Sequence, residues 1–397
     1  MNTRNLKFVE IMLGEEEKKA VMDALDKAYL ASGEYIELFE KEFARYVGTK
    51  YAIAVSNGTD GLFLAYLALG LTFRKKILTT PVSFMATAST IIHSGAIPIF
   101  SDVGEDMNLD PFHAKVIATK ERVDGITIVH LFGKPATPDK FRELSDELGV
   151  PLIEDASHAH GAIYQGKKIG QWGDVAVFSL YPTKIIAAGG WGGVITTNDE
   201  EIYESILYLR AHGEERVKLG KEGAYIHSKL GYNLRMSNLE AAVAYYQLKR
   251  IEDFINRRIK NAAILREILS NNDNLRLPSD VVDGRNVYYI FNVTIKNCKS
   301  EIVRDKIVKN LKEKGVPVEK GYHIPLHRQP LFLKINDKSI NHFASVVDYP
   351  DYSKISLPNA ERLTKCSFWL PVHPGLTEED MEFIGEKTLE VLRKLKM

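Results

Sequence analysis

Cysteine, tryptophan and net charge are what this chain of 397 residues has least of. Its two cysteines, Cys298 and Cys366, are far apart and show neither the spacing of a redox pair nor that of a zinc site. The simplest home for such a chain is a reducing cytoplasm. Lys+Arg and Asp+Glu both number 52, so the formal net charge is zero. That balance argues against a polyanion-binding surface as the main function, and no nucleic-acid partner is expected. No run approaches the roughly 20 apolar residues of a membrane span, and the opening MNTRNLKFVEIMLGEEEKK lacks the apolar core of a signal peptide. A membrane partner is therefore not expected. Walker A and GxGxxG fingerprints are missing too, so neither ATP nor NAD is indicated. Internal repeats, low-complexity tracts and long linkers are also absent.

What the chain does have is apolar residues in abundance, 45% against 26% charged, enough for a large core and more than one domain. Short apolar runs predict strands at Tyr51–Val55, Lys76–Thr79, Ile97–Ser101, Gly125–His130, Pro151–Glu154, Val175–Phe178 and Gly193–Thr197. Helical patterns lie between many of them, at Gly61–Leu69, Met85–His93 and Pro138–Leu148, and an amphipathic helix at Glu15–Ala28 precedes them. Strands interleaved with helices imply crossover connections, hence an α/β fold with a mainly parallel sheet covered on both faces. One long helix is expected at Asn238–Leu269, its basic cluster Lys249, Arg250, Arg257, Arg258 and Lys260 on a solvated face. Beyond it the pattern becomes α+β: a strand at Val287–Ile295, a helix at Glu301–Lys314, an extended Val316–Glu319 and a last helix at Thr377–Leu395. Two domains result, residues 1–250 and a smaller 251–397.

Three segments have the residue types for chemistry. Ser56-Asn57-Gly58-Thr59-Asp60-Gly61 joins a strand to a helix, and free amides at a helix N-terminus attract anions. Gly58 and Thr59 could hold a phosphate there; taken alone, a capped helix after a tight turn explains the stretch as well. Ile153-Glu154-Asp155-Ala156-Ser157-His158-Ala159-His160 puts Asp155 at the carboxyl end of a buried strand, where ligands of α/β sheets bind. An acid there can keep a cationic ring nitrogen protonated. A metal set of Asp155, His158 and His160 is the alternative. In Ser179-Leu180-Tyr181-Pro182-Thr183-Lys184, followed by Gly189, Gly190, Gly192 and Gly193, one lysine sits among apolar and glycine residues. Desolvation favours the neutral, nucleophilic amine. The glycines leave room beside the backbone, and Ser179 is placed to share a phosphate with Thr59. A snorkelling surface lysine is the plain alternative.

Together these segments resemble the DegT/DnrJ/StrS family of nucleotide-sugar aminotransferases, pyridoxal-phosphate enzymes of fold type I. The resemblance spans nearly the whole chain: SNGTDGL at 56–62, PVSFMATAS at 81–89, EDASHAHGA at 154–162, FSLYPTKIIAAGGWGGVITTND at 178–199, GYNLRMSNLEAAVAYYQLKRI at 231–251, YHIPLHRQP at 322–330 and LPVHPGLTEED at 370–380. It implies that Lys184 joins the aldehyde of pyridoxal phosphate and later moves the proton between the donor's α-carbon and C4′ of the cofactor. Asp155 would pair with the ring nitrogen, His158 lie near the phenolic oxygen and Phe84 stack on the ring. Gly58, Thr59 and Ser179 would hold the phosphate, joined by Asn233 from a second subunit, which implies a homodimer. Tyr322, His323 and His327 would shape the sugar pocket or serve only as turn and packing residues. Lysine rather than histidine at 184 favours transamination over the dehydration run by a subgroup of the family. The implied reaction moves nitrogen from a donor, L-glutamate by analogy, to a keto group of a nucleotide-linked sugar. A keto-cyclitol substrate, a related lyase or dehydratase reaction, and a cofactor-binding regulator are the other readings.

Overall fold

Apolar residues are adjacent, not alternating, along the strands, which requires a sheet buried on both faces. The computed structural model describes residues 6–215, 226–298 and 300–395. Its main sheet contains β1 (Tyr51–Val55), β2 (Lys76–Thr79), β3 (Ile97–Phe100), β4 (Gly125–Val129) and β5 (Leu152–Asp155). After the two-residue strands β6 (Ile163–Tyr164) and β7 (Lys167–Lys168), it is completed by β8 (Val175–Ser179) and β9 (Gly193–Thr197). The order is β1-β9-β8-β5-β4-β2-β3. Only β9 opposes the common direction, pairing antiparallel with β1 and β8. All seven strands coincide with the runs read from sequence to within one residue at each end.

Successive side chains of a strand point to opposite faces, and here they enter different cores. Ile53, Val55, Val175 and Val177 pack with Leu62, Ala65 and Tyr66 of the helix Gly58–Ala68 and Ile206 of the helix Glu200–Arg210. Ala52, Ala54, Ala176 and Phe178 face Phe39 and Phe43 of the helix Glu34–Val47 and Ala241 and Ala244 of the helix Asn238–Lys249. Small residues on that face let the helices approach, and Phe43 meets Phe178 edge-on at 5.1 Å. A third core lies among the helices Ile251–Leu269, Glu301–Glu313 and Glu378–Lys394 and the strands β10 (Leu275–Arg276), β12 (Phe291–Ile295) and β13 (Ser367–Leu370). Between β10 and β12, the short β11 (Gly284–Arg285) pairs with β6. The segment 326–363 returns to the main sheet, where Phe332 and Tyr352 pack edge-on against Phe100 of β3.

Four expectations are corrected. The long helix is two helices, Asn238–Lys249 and Ile251–Leu269, broken at Arg250 with φ −105° and ψ 5°. Arg250 turns inward there, donating to the Met12 carbonyl (2.7 Å) and pairing with the buried Glu17. Arg258 likewise leaves the solvated face, being 4% exposed and donating to the Tyr289 carbonyl (3.1 Å). The strand at 287–295 begins only at Phe291, since Tyr288 has φ 48°, outside the extended region. Val316–Glu319 makes one bridge, Glu319 with Trp369, rather than a strand.

Phe43→Ala is expected to lower stability by about 3–5 kcal/mol, through lost burial plus a cavity. Phe112, 85% exposed, is the control: its replacement by alanine should stay within about 0.5 kcal/mol. Urea denaturation of both variants measures the contrast, and equal effects would contradict this core assignment.

Candidate active site at the carboxyl edge of the sheet

The ends of β1, β5 and β8 lie along one edge, and β9, running the other way, starts there. Gly193 pairs with both Val55 and Ser179. A methyl group on Gly193 would stand 2.5 Å from the Asn57 carbonyl carbon and 2.8 Å from the Gly58 nitrogen, and one on Gly58 would stand 2.8 Å from Ser179 Cβ. Only glycine permits this approach. It brings the N-terminus of the helix Gly58–Ala68 against the hydroxyl-bearing end of β8. Asn57 caps that helix, accepting from the Asp60 amide (2.9 Å), while Ser56 and Asn57 donate to the Asp60 carboxylate. The amides of Gly58 and Thr59 have no partner within the helix. With the Ser179 hydroxyl they form a cradle for an oxyanion.

Asp155 ends β5 and is 4% exposed. The Thr87 hydroxyl donates to its Oδ2 (2.8 Å) and the Ser157 amide to its Oδ1 (3.2 Å). Because Thr87 commits its proton to the carboxylate, Ser83, 2.8 Å away, donates to Thr87. Among the described residues no cation pairs with Asp155 within 4 Å. A buried carboxylate held by neutral donors is poised to accept a cationic N–H from a ligand.

His158 is buried and stacks on Tyr289, centroids 4.1 Å apart and planes 19° from parallel. Burial, then the charge of Lys184, holds its imidazole well below the usual histidine range. It is therefore neutral near pH 7, and its Nδ1 has no hydrogen-bond partner in the protein, leaving it free for a ligand. His160, against Phe178, is pushed down to about 3 by burial first and Lys184 second. The metal alternative is not supported: among the described residues no group of three or more His, Cys, Asp or Glu is placed to hold a metal ion.

Lys184 is half-buried in a turn closed by its own amide donating to the Tyr181 carbonyl (2.8 Å). Its Nζ lies 4.8 Å from the centroid of the Tyr289 ring, and Thr183 and Tyr289 share a 3.0 Å hydrogen bond. This is not a snorkelling lysine. Of the following glycines, Gly192 is closed by Ala188, Met236 and Leu180 and Gly193 by Asn57, whereas Gly190 has only Glu240 near it, at 3.8 Å.

Phe84 is 62% exposed on the loop before the helix Ala86–His93. The Pro81 carbonyl of that loop accepts from the Leu326 amide (2.7 Å), tying it to the segment 322–328. In that segment Tyr322 meets Trp369 edge-on at 4.9 Å. Burial first, then the nearby Tyr289 and Asp155, raises its phenol well above the usual range. His323 is exposed and bonds the Gly321 carbonyl. His327 is fully buried instead, its Nε2 3.1 Å from Glu361, which also accepts from Arg328 (2.8 Å). Its Nε2 is thus committed to Glu361, which braces the loop from behind. Asn233 is exposed, accepting from Arg235 (3.0 Å), and its neighbour Leu234 accepts from the Ser56 amide (2.9 Å) at the border of the cradle.

The model of the DegT/DnrJ/EryC1/StrS aminotransferase family matches residues 12–388. This chain belongs to that family. It is 31% identical over 388 residues to the spore coat polysaccharide biosynthesis protein SpsC of Bacillus subtilis, covering 96% of each chain. It is 32% identical to the GDP-perosamine synthase of Caulobacter vibrioides, covering 93% of this chain and 94% of that one. Among solved structures, Streptomyces venezuelae DesV in complex with a ketimine intermediate superposes with a TM-score of 0.82 at 30% identity, covering 96% of this chain and 94% of that one.

The protein is thus an aminotransferase, and three residues of its site escaped the sequence reading. Tyr289 sits in an apolar run that looks like a plain strand, and only the left-handed Tyr288 turns it toward Lys184. Ser83 precedes Phe84 on the loop and Thr87 lies in the first turn of the helix after it, and no pattern in the sequence marks that their hydroxyls meet.

His160 and His158 stay neutral in the fold but take up protons when unfolded. The unfolded chain then binds more protons below the ordinary histidine value of 6.5, so stability is full above it and lost as pH falls. Urea midpoints across this range should drop for the native chain and drop less for His160→Gln. An equal acid loss in both would contradict the assignment.

Proposed function

We propose that this aminotransferase uses pyridoxal 5′-phosphate to pass an amino group from L-glutamate to the keto group of a nucleotide-linked sugar, as a homodimer with shared active sites. The observation that supports it best is the convergence of Lys184, Asp155 and the Gly58–Ser179 cradle on one sheet edge. Those residues fit the cofactor. Gly58, Thr59 and Ser179, with Asn233 of the other subunit, would hold the phosphate, and Asp155 would pair with the ring nitrogen. His158, whose Nδ1 has no partner in the protein, would donate to or accept from the phenolic oxygen, and Phe84 would stack on the ring. When bound, the cofactor supplies an electron sink for the carbon that loses its proton. Lys184 supplies the amine that holds the cofactor and, once released, the base that moves this proton.

The substrate class rests on the relatives, among them a GDP-perosamine synthase. Tyr322 and His323 are the side chains assigned to the sugar. Shared sites are supported by exposed apolar side chains on site segments: Phe84 at 62%, Trp191 at 63% and its ring neighbour Tyr181 at 40%. Such surface is ordinarily covered by a partner. The location that fits these substrates is the cytoplasm, and among the described residues no helix is long and apolar enough to cross a membrane.

The test is a panel of keto-sugar nucleotides and keto-cyclitols with glutamate and pyridoxal phosphate, read by mass spectrometry. An aminated nucleotide sugar is expected, and Lys184→Ala should cut its formation by about 10²–10⁴-fold or more. Amination confined to a free cyclitol would overturn the substrate class. Full turnover by Lys184→Ala would overturn the catalytic assignment.

A further inference from the structure

Among the described residues, Tyr289 is the one aromatic ring that contacts the Lys184 turn and the histidine beside it together. Its face stacks on His158 at 4.1 Å, the Lys184 Nζ lies 4.8 Å from its centroid, and its hydroxyl and the Thr183 hydroxyl are 3.0 Å apart. These contacts come from a chain segment distant in sequence, just before β12 of the smaller sheet. The segment is itself pinned. The Tyr289 amide donates to the Phe132 carbonyl (2.9 Å), its carbonyl accepts from the buried Arg258 (3.1 Å), and the Val287 amide donates to the Gly133 carbonyl (3.1 Å). Gly133, at φ 93°, leaves no room there for a side chain, since a methyl would meet the Tyr289 nitrogen at 2.9 Å.

We propose that Tyr289 is a positioning residue for Lys184: its ring seats the amine and its hydroxyl holds the adjacent Thr183. A lysine has four rotatable side-chain bonds, and ordering it costs conformational entropy. A ring face that attracts the ammonium of this half-buried side chain offsets part of that cost, and it holds the nitrogen in place for the proton loss that makes it nucleophilic. The Thr183 bond removes freedom at the backbone next to it. The stack on His158 fixes the ring plane, so amine and imidazole keep one geometry relative to each other. Tyr289 moves no proton and forms no bond in this assignment. It acts through Lys184 and rests on the reading of Lys184 as the residue that captures the cofactor.

The experiment follows capture, separately from turnover. Purified protein freed of cofactor is mixed with pyridoxal phosphate, quenched with borohydride at timed intervals, and the mark on Lys184 is counted by mass spectrometry. Tyr289→Leu should slow marking about tenfold, because it removes both the cation–ring contact and the hydrogen bond to Thr183. Its affinity for inorganic phosphate, which needs only the cradle, should be unchanged. Tyr289→Phe and Thr183→Val should each slow marking about threefold, and their double variant no further, because each removes the same hydrogen bond. Additive effects of these two, or native marking rates in all three variants, would overturn the proposal. Should Tyr289→Leu not fold, judged by circular dichroism, the Phe and Val pair still decides. If the unmodified protein never carries a mark on Lys184, the cofactor reading itself fails, an outcome distinct from any failure of Tyr289.

Discussion

Everything at the site hangs on how closely three backbones meet. Gly193 lies against Asn57 and Gly58, and Gly58 against Ser179, at distances no side chain would tolerate. The antiparallel β9 makes this possible, because a strand entering from the carboxyl edge begins where its parallel neighbours end. The helix N-terminus is thereby pressed to the end of β8 instead of standing a side chain's width away. Amides with no helical partner then lie beside a hydroxyl, and an anion finds a site built chiefly from backbone. The Lys184 turn leaves β8 from this same point, so its reach is set by the same contact.

Behind this edge one buried acid is satisfied from neighbouring turns, not from the site. Glu154, next to Asp155 but on the other face of β5, accepts from the amides of Gly170, Trp172 and Gly173 and lies 3.0 Å from His130 Nε2. The Ala136 amide donates to His130 Nδ1 (3.1 Å), so the proton sits on Nε2 and points at Glu154. Burial alone would raise the Glu154 carboxyl; His130 and the amides outweigh it and hold it low. Two consecutive acids thus take different roles through the alternation of a strand. One is saturated by protein donors and holds loops, and the other keeps capacity for a ligand.

The sheet was legible in the sequence because strands buried on both faces carry adjacent apolar residues, and all seven do. Asp155, Ser179 and Lys184 were legible because each follows such a run at the edge where ligands bind. What escaped depends on contacts between distant segments. Arg250 and Arg258 look like a solvated stripe, yet one breaks a helix to reach Met12 and Glu17 and the other is drawn under Tyr289. His327 shares a motif with Tyr322, but a turn separates them, so one nears Asp155 and the other faces Glu361. Tyr289 could not be found by pattern at all, since its orientation follows from one left-handed residue before it.

The hydrogen bond from Leu326 to Pro81 joins two loops that sequence separates widely. One carries Phe84, the side chain assigned to the cofactor ring; the other carries Tyr322 and His323, assigned to the sugar. Because this backbone bond and the shared packing of Val82 and Leu326 couple them, a change that reshapes one loop is transmitted to the other. Divergence toward a new acceptor in this scaffold is therefore constrained: loop variants that recognise a different sugar survive only if they leave the register of Leu326 on Pro81 intact.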